Sequence, residues 1–435
     1  MLQSTAPRYP DAKHRARDFG SSRISPFCRR VSTRSPLLPI FLIVLVDVLG
    51  YTIIFPVLAF YVKEFGASDL VATSIVSVYA ACSLISTPII GRLSDQYGRR
   101  RLLLLSQSGT CLGFLLLGSA TSLWMVFAGR ILDGLTAGNL SIAQAYISDH
   151  TKPENRAKAF GVIGIAFGVG FVFGPVLGGV LLADHGHQMP FLVAAGLSAL
   201  SIVCTYVLLP HELPPKTVTA DAGPAGRRPG AFDVSTYAEY FRRPGLGAIY
   251  LQFFLFTFAF SLLTSGFALF AKGKFGWDKK EVGYFFAYVG ALGVILQGGL
   301  LGRLVKKFGE RSLTRAGFVS LLIAYPLLSL SSHLTMLAIA ATFASFGNGV
   351  LRPALTSRIT KSVGRHEQGV ALGLSGSLSS IAMIISPLTG GTMLELDWLL
   401  AWALIPAAVA AVALVVGAVS AQDPSVETTH ANTRA

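Results

Sequence analysis

Residues 91–101 read Gly91-Arg92-Leu93-Ser94-Asp95-Gln96-Tyr97-Gly98-Arg99-Arg100-Arg101. This short, cation-rich run separates two apolar stretches, and the same alternation recurs along the chain. Of the 435 residues, 52% are hydrophobic and only 13% charged, against about 25% charged in a soluble domain. The apolar stretches are roughly 20 residues long, the length of helix that crosses a hydrocarbon core of about 30 Å. A membrane β-barrel would instead show short alternating segments. The expected spans, numbered 1 to 12, are 37–62, 71–91, 102–120, 123–148, 158–183, 190–209, 246–272, 282–302, 313–331, 334–360, 369–394 and 398–420. The fold class is therefore an all-α polytopic membrane protein.

The net charge of +14 invites a nucleic-acid reading. The distribution argues against it. Eight Lys and Arg residues lie in the tail before span 1, and most others gather near the connections that follow even-numbered spans. Only Lys63, Lys272, Lys274, Lys279 and Lys280 lie near the odd-numbered connections. By the positive-inside rule both termini are expected on the cytoplasmic side. The cations sit at helix ends instead of forming one basic face, so no nucleic-acid partner is expected.

Cys28, Cys82, Cys111 and Cys204 stand singly, without metal-ligand spacing, and read as small packing residues. No metal or cofactor is expected. The basic, Ser-rich first 36 residues could resemble a transit peptide, but no small-residue cleavage site follows a short apolar region, so span 1 is expected to be an uncleaved anchor.

The run at 91–101 has a partner. Gly91-Arg92-Leu93 with Tyr97-Gly98 returns as Gly302-Arg303-Leu304 with Phe308-Gly309, and Pro175 with Gly178-Gly179 returns as Pro387 with Gly390-Gly391. Two landmarks giving one period imply a duplication, the arrangement in which transporter halves rock about a central site. The expected organisation is a basic tail (1–36), a six-helix bundle (37–209), a Pro- and Gly-rich linker (210–245), a second bundle (246–420) and a second tail (421–435). Within the linker, Asp233 to Arg243 could form a short interfacial helix, with Tyr237, Tyr240 and Phe241 on its apolar side and Arg242 and Arg243 facing headgroups.

Glycines at both ends of the 91–101 run allow a tight turn, and Asp95 can cap a helix or pair with an arginine. Span 5 contains Gly170-Phe171-Val172-Phe173-Gly174-Pro175-Val176-Leu177-Gly178-Gly179. Glycines four apart let helices approach backbone to backbone, and the proline removes one helical hydrogen bond. Ordinary close packing would use the same glycines.

At these residues the chain resembles the major facilitator superfamily. Residues 91–101 match its signature G-x-L-[AS]-D-x-x-G-R-[KR], and Gly170 to Gly179 match the G-x-x-x-G-P-x-x-G-G pattern of its proton-coupled drug antiporters. Ala128 to Gly134, Ala145 to Asp149 and Phe275-Gly276-Trp277 extend the likeness to the tetracycline-efflux branch, over essentially all of residues 37–420. The resemblance implies a fold of two pseudo-symmetric six-helix bundles, and a gating role for Gly91, Asp95, Gly98, Arg99, Arg100 and Asp149. One departure stands out: Gly113-Phe114 occupies the place where that branch tends to carry an acid before an aromatic, which leaves tetracycline itself in doubt as the solute.

A charge at mid-membrane costs about 2.5 kcal/mol or more and is retained mainly for function. Asp47, Arg130, Asp133 and Arg352 are such charges. Asp47, Tyr51 and Phe55 share one helix face, as do Arg130, Gly134 and Gly138, which suits a common cavity. Asp47 is expected to carry the proton with Arg130 modulating it, a role the resemblance also implies; a static ion pair is the competing reading. Asp133, one turn from Arg130, could join the coupling or simply neutralise it. Arg352 could contact an anionic solute or serve a snorkelling or interhelical role. Candidates for solute contact are Tyr51, Phe55, Asn139, Gln144, Gln252, Phe256, Gln297, Asn348 and Arg352, with Gln252, Phe256 and Phe260 forming an aromatic wall.

The expected function is a monomeric inner- or plasma-membrane antiporter exporting a small amphipathic solute against inward proton flow. The alternative is a proton symporter or facilitator for a metabolite. An enzyme is not expected, since His185, His187 and His333 lie at span edges and no catalytic cluster is present in the spans.

Overall fold

The computed structural model describes residues 37–151, 156–186, 188–209, 234–364 and 367–420. The two tails and most of the linker lie outside them, as do the side chains of Phe55, Tyr237 and Gln297. All regular structure among the described residues is helical, as expected where lipid leaves no water to satisfy a backbone outside a helix or closed barrel. Ten helices are long and apolar enough to cross a membrane. Spans 4 and 8 complete the twelve, each interrupted.

Span 4, expected as one stretch, is two helices, Leu123–Leu135 and Asn139–His150. The interruption frees backbone carbonyls, and hydroxyls from neighbouring spans meet them. Ser86 donates to the Gly134 carbonyl at 2.6 Å, Thr87 to Ala137 at 3.0 Å, and Ser106 to Thr136. Irregular backbone at membrane depth needs such partners. Span 8 begins with Lys279–Ile295, passes through a π-helical turn at Leu296–Leu300, and continues beyond residue 302 to Phe308. There Gly309 (φ 74°) folds the chain back into span 9.

Gly98 (φ 94°) makes the matching turn between spans 2 and 3, a conformation that favours glycine. The expectation of a turn built on glycines at both ends is corrected: Gly91 lies within the helix Asp69–Tyr97, with no neighbouring atom within 4 Å of a Cβ placed on it. Gly302 is likewise inside a helix and open.

The duplication reappears in the seam between the halves, where span 5 packs along span 8 and span 2 along span 11. A Cβ on Gly179 would lie 2.9 Å from the Gly283 Cα, and one on Gly391 2.9 Å from the Leu70 Cα. The two glycines of the repeat thus make equivalent crossings. Polar contacts joining the halves gather towards the end that carries the odd-numbered connections. Glu395 accepts from Ser68 Oγ at 2.7 Å and the Leu70 N–H at 3.0 Å, while Lys279 meets Glu64 at 3.4 Å and Lys280 meets Asp184 at 3.1 Å.

The linker does form a short helix, Val234–Arg242. Tyr240 is buried and Phe241 exposed. Arg243, expected at headgroups, instead holds Glu367 through both guanidinium nitrogens at 3.0 and 2.9 Å and lies 4.3 Å from the Tyr240 ring centroid. These hydrogen bonds keep the Glu367 carboxyl below the usual carboxylate range. The clamp is therefore complete above the ordinary glutamate range, near pH 4.3, and is lost as pH falls through the lower folded-state value.

Overpacking a close helix crossing costs about 1–3 kcal/mol. Gly179→Leu and Gly391→Leu are each expected to lower the thermal unfolding midpoint in detergent, while Gly91→Ala is expected not to lower it.

Candidate functional site

The first half supplies two charged clusters at membrane depth. Arg130 Nη1 lies 2.9 Å from Asp133 Oδ2, and both residues are only 3% exposed. The guanidinium also stacks over Tyr79, 4.4 Å from the ring centroid, an arrangement that favours a desolvated cation. Thr110 of span 3 completes the surroundings of Asp133. Arg130 and Tyr51 then line one cleft with Ile54, Leu58 and Val76, closed on the far side by Thr264 and Ser265 of span 7. The common cavity inferred from helical periodicity therefore holds for Tyr51 and Arg130.

Asp47 lies one turn before Tyr51 and faces a different set of groups. Its polar neighbours are Ser201 of span 6, Gln107 of span 3 and Asn139, the first residue after the break in span 4. Gln107 Nε2 donates to Ser201 Oγ at 2.7 Å. Asp47 Oδ1, Gln107 Oε1 and Asn139 Oδ1 are all sealed from solvent without a hydrogen-bond partner. Buried acceptors without donors are costly, and a proton on Asp47 would supply a donor to this cluster. Arg130 thus pairs with Asp133, and Asp47 with uncharged amides and a hydroxyl. Periodicity missed Gln107 and Ser201. Their signal was the single amide of span 3 and one hydroxyl among several in span 6.

The span 5 glycines bind this cluster to the seam. A Cβ on Gly170 would enter Val48, one on Gly174 would enter Thr52, and one on Gly178 would meet the Ile53 carbonyl. Thr52 Oγ1 donates to the Gly170 carbonyl at 2.8 Å. Span 5 therefore lies backbone to backbone on the helix that carries Asp47. Gly179, one residue on, faces span 8, and Pro175 is buried between these contacts.

At the end bearing residues 91–101, Arg99 gathers three partners: Asp95 at 2.5 Å, Asp149 at 2.9 Å and Ser94 Oγ at 2.6 Å. Asp95 thus pairs instead of capping. Arg100 reaches the Tyr206 carbonyl at 2.5 Å and stacks on its ring. The second half repeats the central contact with its signs exchanged. Glu310 occupies the position of Arg99 and Lys361 that of Asp149, and they meet at 2.6 Å.

The aromatic wall expected on span 7 is not part of the cleft. Phe256 is buried in the core of the second half, and Gln252 is fixed there by donating to the Ala413 carbonyl at 2.9 Å and accepting from Arg358 at 3.1 Å. Their shared face packs against spans 10, 11 and 12. Asn348 is half-buried beside Tyr325, and Gln144 half-buried on Asn139–His150. A Cβ on Gly113 would lie 2.9 Å from the Gly129 carbonyl and 3.0 Å from Asp133 Cβ, so its lack of a side chain is a packing requirement.

A family model described as Major Facilitator Superfamily matches residues 40–387 and 298–434. The chain is 32% identical over 352 residues to the class H tetracycline resistance protein of Pasteurella multocida, covering 80% of this chain and 86% of that one. It is 28% identical to multidrug resistance protein 2 of Bacillus subtilis (strain 168), with coverages of 82% and 89%. The solved structure of the human organic anion transporter MFSD10 (TETRAN) superposes with a TM-score of 0.69 at 21% identity, covering 88% of this chain and 99% of that one.

The inverted ion pairs generate a test. Arg99→Glu and Asp149→Lys should each lower the unfolding midpoint, and the double variant, which copies the Glu310–Lys361 polarity, should regain part of the loss. A double-mutant cycle in detergent is expected to give a coupling of about 0.5 kcal/mol or more.

Proposed function

The chain belongs to the Major Facilitator Superfamily, a family of transporters and not of enzymes, and from that membership we propose that it is a proton-coupled antiporter exporting a small amphipathic solute. The observation that carries the reading is Asp47: a half-buried carboxyl in the first half whose Oδ1 is sealed, next to acceptors that lack a donor, on a helix locked to span 5. A proton added there gives the cluster one donor for a neighbouring acceptor, and its release removes that donor and adds a charge. Because Asn139 follows the break in span 4, that change is felt by the half-helix bearing Asn139, and Thr52 passes it to span 5.

The Arg130–Asp133 pair sits beside the cleft and balances its own charge, leaving Asp47 as the group whose proton can come and go. Tyr51 and the apolar side chains of span 1 receive the solute. The likeness to tetracycline and multidrug resistance proteins supports export over uptake, as does the complete glycine pattern of span 5. The site is expected in a bacterial inner membrane, in a monomer, with both termini and the paired Arg99 and Lys361 on the cytoplasmic side. The seam described above would then be closed at the outer face.

Inverted membrane vesicles test this directly. With the vesicle lumen acidified so that protons run outward, the native chain is expected to accumulate at least one compound from a panel of dyes and antibiotics, and Asp47→Asn to lose that accumulation while still binding the compound. Accumulation only when the lumen is the more alkaline side, so that protons and compound enter together, would instead establish a symporter.

A further inference from the structure

The turn between spans 8 and 9 carries five cations with no acid to answer them. Arg303, Lys306, Lys307, Arg311 and Arg315 are all exposed. Among the described residues, none of them takes part in a hydrogen bond or an ion pair. The one acid of this stretch, Glu310, is already engaged, accepting from Ser357 Oγ at 2.5 Å and from Lys361 at 2.6 Å. Span 10, which supplies both of those donors, contains no acid of its own; its remaining cations are Arg358, which donates to Gln252 at 3.1 Å, and Arg352, more than two turns deeper than Lys361. The corresponding turn of the first half is built otherwise. Asp95 stands where Lys306 stands here, Arg99 is tied to Asp95 and Asp149, and Arg100 to the Tyr206 carbonyl.

Packing turns these cations outward. Leu304 and Val305 lie against the small core of Leu296, Leu313 and Val350, which leaves Arg303, Lys306 and Lys307 on the opposite side of the same helix end. Phe308, 52% exposed, closes the stretch, with the Lys307 ammonium 5.3 Å from its ring centroid. Along span 9, Arg311, Arg315, Val319 and Ile323 recur every four residues and are all exposed, so they form one stripe of the helix. Span 9 packs on spans 10 and 12 through its buried side, which includes Gly317, Phe318, Leu321 and Tyr325. The exposed stripe is cationic at the turn and aliphatic beyond it. A phospholipid beside a helix has the matching order, a phosphate at the helix end and an acyl chain along the flank. A soluble acidic protein would meet the cations and leave the aliphatic stretch bare. We infer that the turn between spans 8 and 9 docks an anionic phospholipid, with Arg311 and Arg315 holding its phosphate and Val319 and Ile323 lying along a chain. Arginine forks bind phosphate oxygens in pairs, and a basic cluster at the membrane surface is drawn to anionic lipid. The headgroup thus gives the second half the negative charge that Asp95 gives the first. Docking depends on neither the solute nor the direction of transport.

Native mass spectrometry of the purified full chain in detergent, titrated with phosphatidylglycerol or phosphatidylcholine, reads this docking one lipid at a time. The native chain is expected to bind phosphatidylglycerol about tenfold or more tightly than phosphatidylcholine, the size expected from two cations at an anionic surface. Arg311→Gln combined with Arg315→Gln should remove most of that preference, while Arg311→Lys combined with Arg315→Lys should keep much of it. Arg92→Gln combined with Arg101→Gln removes the same charge from the first half's turn and is expected to leave the preference nearly unchanged. Glycerol 3-phosphate and polyglutamate should not compete. The glutamine pair at 311 and 315 should also unfold at the native midpoint without added lipid, because these side chains hold nothing within the protein; early unfolding would contradict that placement. Equal binding of the two lipids would overturn the proposal, and so would an equal loss from the first-half pair, which would reveal only a general attraction to a cationic face. Displacement by glycerol 3-phosphate would establish a phosphate site instead, and displacement by polyglutamate an acidic protein partner.

Discussion

The backbone contact between spans 1 and 5 is the constraint on which the other features depend. Three glycines spaced four apart remove every side chain from one stripe of span 5, and Val48, Thr52 and Ile53 fill the space. In a bilayer the lipid tails are as apolar as the side chains, so helices are joined by such close packing and by hydrogen bonds rather than by a hydrophobic drive. The Thr52 hydroxyl adds that hydrogen bond at the closest point. Because Asp47 lies one turn away and Gly179 touches span 8, one helix connects the protonatable carboxyl to the seam between the halves.

The duplication repeats this architecture in the second half, and its departures from symmetry are as informative as its agreements. Gly179 and Gly391 make equivalent crossings, and Gly98 and Gly309 make equivalent turns. The charged clamps at the turn ends are inverted: cation then anion for Arg99 and Asp149, anion then cation for Glu310 and Lys361. Each half is braced internally at that end, while polar bridges between the halves gather at the other. The mid-membrane charges are unequal too, since Asp47, Arg130 and Asp133 all belong to the first half and Arg352 to the second.

Much of this was legible in the sequence because membrane spans announce themselves by length and because glycine stripes and repeats are local patterns. Twelve spans, the Gly98 turn and the span 5 glycines all read correctly. The break in span 4 did not, since Thr136, Ala137 and Gly138 are unremarkable residues and the hydroxyls that make the break affordable come from Ser86, Thr87 and Ser106 on other spans. The face bearing Gln252 and Phe256 was misassigned for the same reason: helical periodicity identifies a face but not the neighbour it meets. Periodicity also put Asp47 with Arg130, whereas tertiary packing gives each its own partners.

The central claim is that the proton state of Asp47 governs the closure of the seam through span 5. Thr121 and Ser332 lie at corresponding exposed positions on the two halves, in the connections at the bridged end, so spin labels there report that closure in a background free of Cys28, Cys82, Cys111 and Cys204. The account predicts that the inter-label distance, measured by pulsed electron resonance in nanodiscs, lengthens as pH is raised, and that Asp47→Asn holds the short distance at every pH. A distance that responds to pH identically in both proteins, or in neither, would contradict it.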